Sequence, residues 1–382
     1  MTSASVSIPI RVACVLGTRP EVVKMAPVVD ALAASARFAP VLINTGQHRE
    51  LLSATLSLFR LVPDVSLDLM TSDQRLARFF SRCVDALDQS LEEIAPDAVM
   101  AQGDTSTVLA AALVAFYQRR PFFHVEAGLR TGNLRNPFPE EMNRAIATRF
   151  ATLHFAPTAA ARENLLAERV DAASIVVTGN TVIDALLAIR DRRIPHGVEL
   201  SPDKRLIVVT AHRRESFGEP MRDMLRALKT IAARWKDVEI VYPAHPNPEV
   251  RRAIVDELGT DDRVRVIEPL GYGPFVTLLD RSTLILTDSG GIQEEAPALG
   301  KPVLVLRDET ERPEAVAAGV ARLVGTDASR IVEETARLLD DRAWYAQMAR
   351  GASPYGDGRA AGRIVAALEH YFETPAHARH PR

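Results

Sequence analysis

The sequence predicts an α/β protein made of two doubly wound parallel sheets. Three observations carry this. Short runs of aliphatic and β-branched residues alternate with helix-length stretches, and strands so spaced pair in parallel through right-handed crossovers. The alternation runs once and then restarts after the polar, proline-containing run 190–204. Several apolar runs end in glycine-bearing turns, of which Asp288-Ser289-Gly290-Gly291 is the clearest. The expected halves are 10–180 and 181–358, two Rossmann-like domains facing each other across a cleft.

Composition agrees. At 382 residues the chain exceeds one typical domain. Hydrophobic content of 47% with 25% charged residues describes a globular protein with a sizeable core. A net charge of -3 provides no basic field for nucleic acid. Cys14 and Cys83 lie in apolar stretches and are expected to be reduced. The opening MTSASVSIPI lacks a charged start and a long apolar run, so no signal peptide is expected. No run of ~18 apolar residues is present to span a membrane. The tail from Thr374 is expected to be loose.

Arg11–Leu16 reads as the first strand. Gly17-Thr18-Arg19-Pro20-Glu21 then turns into a helix with Pro20 at its first position, where proline is favoured. Arg19 at that helix start suits an anion, and Lys24 follows one turn on. Val41–Thr45 is the second strand, ending in Gly46-Gln47-His48 and a helix to Arg60. An alternating piece, Val65–Met70, precedes a helix from Asp73 to Ile94. Ala98–Gln102, Pro121–Glu126 and Ser174–Thr178 complete the first half. Asp104 follows one of these strands in Gln102-Gly103-Asp104-Thr105, where capping the next helix is the plainer role. Strands of the second half are Leu206–Thr210, Glu239–Pro243, Val264–Glu268, Thr283–Thr287 and Val303–Leu306.

Sheets of this class bind ligands beyond the carboxyl ends of their strands. The loop from His124 to Arg144 holds His124, Glu126, Arg130, Arg135, Glu140, Glu141 and Arg144. That is too much charge to fill a core, and such loops carry chemistry. Glu140 and Arg144, four apart, share a helix face. In the second half, His212 follows one strand as a candidate acid, base or phosphate donor. His245 follows the next. Ser289, Gly290 and Gly291 open a helix whose free N–H groups suit phosphate. Glu295 on that helix is placed to hold ribose hydroxyls, and Arg312 adds a cation. The histidines lack metal-ligand spacing, so no metal is expected. There is no Gly-x-Gly-x-x-Gly after the first strand and no Walker lysine, so a nicotinamide or P-loop nucleotide site is not expected.

These motifs stand together in one order. Gly17-Thr18-Arg19-Pro20-Glu21, Gly46-Gln47-His48, Gln102-Gly103-Asp104-Thr105 and His124 through Arg130 come first. Pro139-Glu140-Glu141-x-Asn143-Arg144, Thr178-Gly179-Asn180-Thr181 and His212 through Glu215 follow. Asp288-Ser289-Gly290-Gly291-x-x-Glu294-Glu295 and Thr310 through Glu314 complete the set. From Arg11 to Asp327 the chain closely resembles the non-hydrolysing UDP-N-acetylglucosamine 2-epimerases.

The resemblance implies a GT-B fold with the active site in the interdomain cleft, and a C-terminal helix, 359–372, packing back on the first domain. It implies a cytoplasmic homodimer acting on UDP-GlcNAc without a cofactor and serving cell-envelope polysaccharide synthesis. The reaction inverts C2 of the sugar. That C–H is not next to a carbonyl, so elimination of UDP to 2-acetamidoglucal and re-addition is the implied route. Asp104, Glu126 and Glu140 match the family's carboxylates, and the choice of base among them stays open. His212, Lys24 and Arg144 also match catalytic positions. Arg19, Ser289, Gly290, Gly291, Glu295 and Arg312 match substrate-binding positions, with Phe275 beside uracil. Gln47, His48 and His245 match an activator site for a second UDP-GlcNAc in some members.

Three residues depart from the family pattern. Position 244 is Ala where a larger apolar residue is expected, 246 is Pro, and Glu168-Arg169 stands where Glu-Gly is usual. The rival readings are a hydrolysing epimerase that releases ManNAc, an epimerase of a diacetamido uronic acid nucleotide, a GT-B glycosyltransferase and a non-catalytic nucleotide sensor.

Overall fold

A computed structural model describes residues 8–374, apart from 47–48, 72–73, 214–215, 260–262 and 352, and without the side chains of 49–51. The chain divides into two compact α/β units, in keeping with a GT-B fold. One comprises the described residues of Met1–Ala185 and Gly356–Arg382, the other Leu186–Tyr355. Among the described residues no helix is long and apolar enough to cross a membrane.

The first unit holds strands β1 (Ile10–Leu16), β2 (Phe38–Asn44), β3 (Val65–Ser66), β4 (Ala98–Gln102), β5 (Phe122–Val125), β6 (Leu153–Ala156) and β7 (Ile175–Val177). They form one parallel sheet in the order β3-β2-β1-β4-β5-β6-β7. The order reverses at β1 and β4, where Val12 pairs with Ala98. That switch point is where such sheets place ligands. Alternate residues of β1 enter opposite layers, as a two-sided strand requires. Val12, Cys14 and Leu16 pack in a layer with Val22 and Met25 of the helix Arg19–Ala34 and Ile364 and Leu368 of the helix Ala360–Glu373. Ala13 and Val15 pack with Leu87 and Leu91 of the helix Leu76–Ile94 and with the helix Ser106–Tyr117. Both cysteines are buried and free.

The C-terminal helix is fixed to the first unit by apolar and polar contacts. Tyr371 meets Phe123 edge-on at 5.3 Å, and Asp184 accepts the amides of Ala360 and Ala361 at 3.2 and 2.9 Å.

The second unit holds β8 (Arg205–Thr210), β9 (Val238–Pro243), β10 (Val264–Ile267), β11 (Leu284–Thr287), β12 (Val303–Val305) and β13 (Ala321–Leu323). Their order is β10-β9-β8-β11-β12-β13, again parallel and again reversing beside its first strand.

Two strands, β6 and β13, come in addition to those expected, and some strand ends differ. β6 follows the helix Glu140–Phe150 after two residues and lacks a glycine turn, so its four residues read as more helix. β13 is a three-residue edge strand with Arg322 at its centre, paired with Glu334 at 2.7 Å. β3 covers only Val65–Ser66 of the expected six residues. β5 stops at Val125, because Glu126 takes φ +64° and leaves the sheet.

Candidate active site

The turns after β1 and β4 are built as one piece. Thr18 caps the helix Arg19–Ala34, and Glu21 completes a capping box. Glu21 is buried; one carboxylate oxygen accepts the amides of Gly17 and Thr18 at 2.8 and 2.7 Å. Its other oxygen accepts the Thr105 hydroxyl at 2.6 Å. Burial pushes the Glu21 carboxyl up, against the hydrogen bonds from Thr105, Gly17 and Thr18. Gly17 has no room for a side chain, since a Cβ would stand 2.1 Å from the Thr45 hydroxyl. Glu21 was not among the expected site residues, although the Thr-x-x-Glu spacing is that of a capping box. Arg19 is exposed at the helix start.

Glu126 emerges just past β5 with a nearly buried side chain. Lys24 Nζ lies 2.5 Å from its Oε1, Asn180 donates to Oε1 at 3.0 Å, and Gln102 donates to Oε2. A helix turn, two strand ends and the start of the helix Thr181–Asp191 therefore converge on one carboxylate. The pairing of Lys24 with Glu126 was not among the expectations, which placed Lys24 only one helical turn after Arg19. Gln102 and Asn180 were quoted as motif residues but not as ligands of Glu126, because nothing local in sequence marks that partnership.

Asp104 does not cap the helix Ser106–Tyr117; the cap is Thr105, whose hydroxyl accepts the Val108 amide at 3.4 Å. Asp104 instead lies 3.4 Å from Arg144 Nε, and its carbonyl accepts Asn143 Nδ2 at 2.9 Å. Arg144 is buried and meets Glu141 Oε2 at 3.2 Å, three residues back on the same helix. The expected partner on that face was Glu140, which is half-buried at the first turn. The register that turns Arg144 inward also turns in Glu141. His124 lies wholly buried in β5 with Nε2 2.7 Å from the Gly103 carbonyl, and burial lowers its pKa to about 4. Arg130 is bound to Glu168 through Nε at 2.6 Å and Nη2 at 3.0 Å, an arrangement that orders the loop.

In the second unit, Asp288 organises the strand ends. It is wholly buried and accepts the amides of His212 and Arg213 at 2.7 and 2.8 Å. The His212 ring sits 3.5 Å from the other Asp288 oxygen and stacks on His245 with centroids 5.8 Å apart. Burial lowers the His212 pKa, with Asp288 opposing. His245 is exposed, and its Nδ1 accepts the Asn247 amide at 3.2 Å. Ala244 is buried in the core, so the small residue there belongs to packing.

Ser289 precedes the helix Gly290–Ala298, and its side chain makes no capping bond. The first-turn amides of this helix therefore have no capping side chain, as an anion site needs. Arg213 Nη2 reaches within 3.8 Å of where a Gly290 Cβ would stand. Glu295 is buried and accepts the Tyr272 hydroxyl at 2.8 Å. Arg312 donates to buried Glu294. Phe275 is half-buried on the helix Tyr272–Arg281. Tyr272 was not an expected site residue, for a tyrosine opening a helix carries no signal of its distant carboxylate. Gln47 and His48 lie outside the described residues. Among the described residues no group of three His, Cys, Asp or Glu side chains stands in a metal-holding arrangement.

Residues 30–369 match the family model described as UDP-N-acetylglucosamine 2-epimerase. The chain is 52% identical over 369 residues to the UDP-N-acetylglucosamine 2-epimerase of Escherichia coli strain K12, covering 94% of this chain and 98% of that protein. It is similar to the crystal structure of UDP-GlcNAc 2-epimerase from Neisseria meningitidis bound to UDP-GlcNAc. There the TM-score is 0.85 and the identity 43%, with 94% of this chain and 100% of that chain covered. A glycosyltransferase from Streptomyces nogalater, at 18% identity and TM-score 0.62 over 94% of this chain and 99% of its own, shares the fold alone.

Proposed function

The chain belongs to the UDP-N-acetylglucosamine 2-epimerase family, and from that premise we propose that it interconverts UDP-GlcNAc and UDP-ManNAc by inverting C2. The C2 proton of the sugar is not acidified by a carbonyl. The proposed route is anti elimination of UDP across C1–C2 to 2-acetamidoglucal, then protonation from the other face and re-addition. The reaction is non-hydrolysing and draws on no cofactor.

One observation carries this reading. Asp104 and Glu126 stand at the carboxyl ends of β4 and β5, and Glu140 opens the helix that carries Arg144. A binding module for a nucleotide does not need three such carboxylates, whereas elimination and reprotonation need a base and an acid. In the proposed division of labour these groups and Lys24 serve the sugar. Ser289, Gly290 and Gly291 with Arg19, His212 and Arg312 stabilise the departing diphosphate. Glu295 holds the ribose and Phe275 packs by the uracil. Gln47, His48 and His245 are proposed to serve an activating second nucleotide sugar.

A cytoplasmic homodimer supplying cell-envelope polysaccharide synthesis completes the proposal. Two buried free cysteines support a reducing compartment. Exposed Phe116, Tyr117, Met142 and Ile146 on adjacent helices support a second copy as partner.

The test is incubation with UDP-GlcNAc alone in deuterium oxide. The expected products are both nucleotides with deuterium at C2, plus traces of UDP and 2-acetamidoglucal. Free ManNAc without UDP-ManNAc would move the protein to the hydrolysing branch. Full equilibration with the C2 hydrogen retained would sink elimination, and an unchanged substrate would sink the function.

A further inference from the structure

We propose that Glu141 is a positioning residue for this reaction, holding Arg144 against Asp104; the inference rests on the function proposed above. Glu141 is only 1% exposed. Its Oε1 accepts the amides of Thr131 and Gly132, each at 3.0 Å, and so fixes the loop that enters the helix Glu140–Phe150. Its Oε2 faces Arg144 Nε at 3.2 Å, and the same Nε lies 3.4 Å from Asp104 Oδ2. Among the described residues that guanidinium nitrogen makes no hydrogen bond, and it stands in ion-pair range of one buried carboxylate and one candidate acid or base. Asn143, between them in sequence, fastens the Asp104 carbonyl.

The two neighbouring glutamates therefore divide their work. Successive helix residues point about 100° apart, so Glu140 and Glu141 cannot face the same group. Glu141 spends its acceptors on the scaffold, and its charge competes with Asp104 for Arg144. A cation between two carboxylates divides its field between them, and removing one leaves the cation to the other. Four charged or titratable groups of the same unit are accounted for elsewhere, and Glu140 lies next to Glu141 on the helix. Arg130 is tied to Glu168, Lys24 to Glu126, and burial lowers the pKa of His124 and of His154.

Glu141→Gln separates the two duties. The amide oxygen still accepts the Thr131 and Gly132 amides, while an NH2 group replaces the oxygen that faces Arg144. The variant is expected to fold and to bind UDP within about twofold of wild type, with KM for UDP-GlcNAc changed as little. Its kcat should fall about tenfold to a hundredfold, the scale of a displaced catalytic group. The limb of the kcat pH profile governed by Asp104 should move to lower pH, because Arg144 then serves Asp104 alone. Glu141→Asp keeps the charge and should return that limb toward its wild-type position. A Glu141→Gln variant with unchanged kcat, or with reduced kcat and neither limb moved, would overturn the proposal. If Glu141→Gln does not fold, Glu141→Asp decides. Lowered kcat with retained UDP affinity supports positioning, and wild-type kcat overturns it. A wild-type protein that leaves UDP-GlcNAc unchanged fails the function itself, a result read before any variant is made.

Discussion

Glu21 accepts the Thr105 hydroxyl at 2.6 Å, joining the turn after the first strand to the turn after the fourth across 84 residues of sequence. The same carboxylate holds the Gly17 and Thr18 amides, so three donors depend on one buried side chain. Glu21→Ala should cost about 2 kcal/mol or more, since buried donors left unsatisfied are expensive. Glu21→Gln, which keeps one acceptor, should cost less. Urea unfolding measures both, and faster amide exchange at Gly17 and Thr18 should accompany the loss. Equal stability of all three proteins would show that the two turns hold without Glu21.

Asp104→Asn, Glu126→Gln and Glu140→Gln each preserve shape and remove a proton acceptor. Loss of the base should lower the rate about a hundredfold or more, the usual scale of acid–base catalysis. UDP affinity, measured by calorimetry, should change little, because the proposed diphosphate contacts lie on other residues. Near-normal turnover in all three would place the base elsewhere.

His124 gives the fold a pH dependence of definite sign. Burial holds its pKa at about 4 in the folded chain, against about 6.5 when unfolded. The unfolded chain therefore binds a proton first as pH falls. Stability is full above pH 6.5 and is lost progressively down to about pH 4, by about 3 kcal/mol in all. His124→Gln should flatten that part of the stability curve. An identical slope in the variant would assign the pH dependence to other groups.

Arg169, an expected departure from the family pattern, takes φ +64°. A non-glycine residue pays strain there that glycine does not. Arg169→Gly should stabilise the protein by about 0.5 to 1 kcal/mol, with activity unchanged. A lower melting temperature in the variant would mean that the arginine makes up its strain through another contact. The neighbouring Glu168 side chain, bound to Arg130, is untouched by the change.

Legibility in the sequence tracked distance along the chain. The parallel sheets were readable because strand and helix periodicities are local, and the turn Asp288-Ser289-Gly290-Gly291 because its glycines are. β6 and β13 were not, being four and three residues long and lacking turn signals. The site divides the same way. Glu126 and Arg144 stood out as charges at a strand end and in a loop, whereas Asp104 read as a helix cap until the family motifs were set side by side. Gln102 and Asn180 did not, because their shared target, Glu126, lies 24 and 54 residues away. Glu141 and Glu140 look alike in sequence, and only the inward turn of the helix distinguishes them.

The first unit is closed by a helix made long after its sheet. Residues 356–374 supply Ile364, Leu368 and Tyr371 to a core that otherwise ends by residue 185. During synthesis about 170 further residues must pass before that helix exists, a delay of roughly 10 to 30 s at ordinary elongation rates. For that interval on the ribosome, the nascent first unit exposes the apolar groove meant for its last helix. The second unit, continuous in sequence, has all its parts earlier. The order of translation thus completes the C-terminal unit before the N-terminal one.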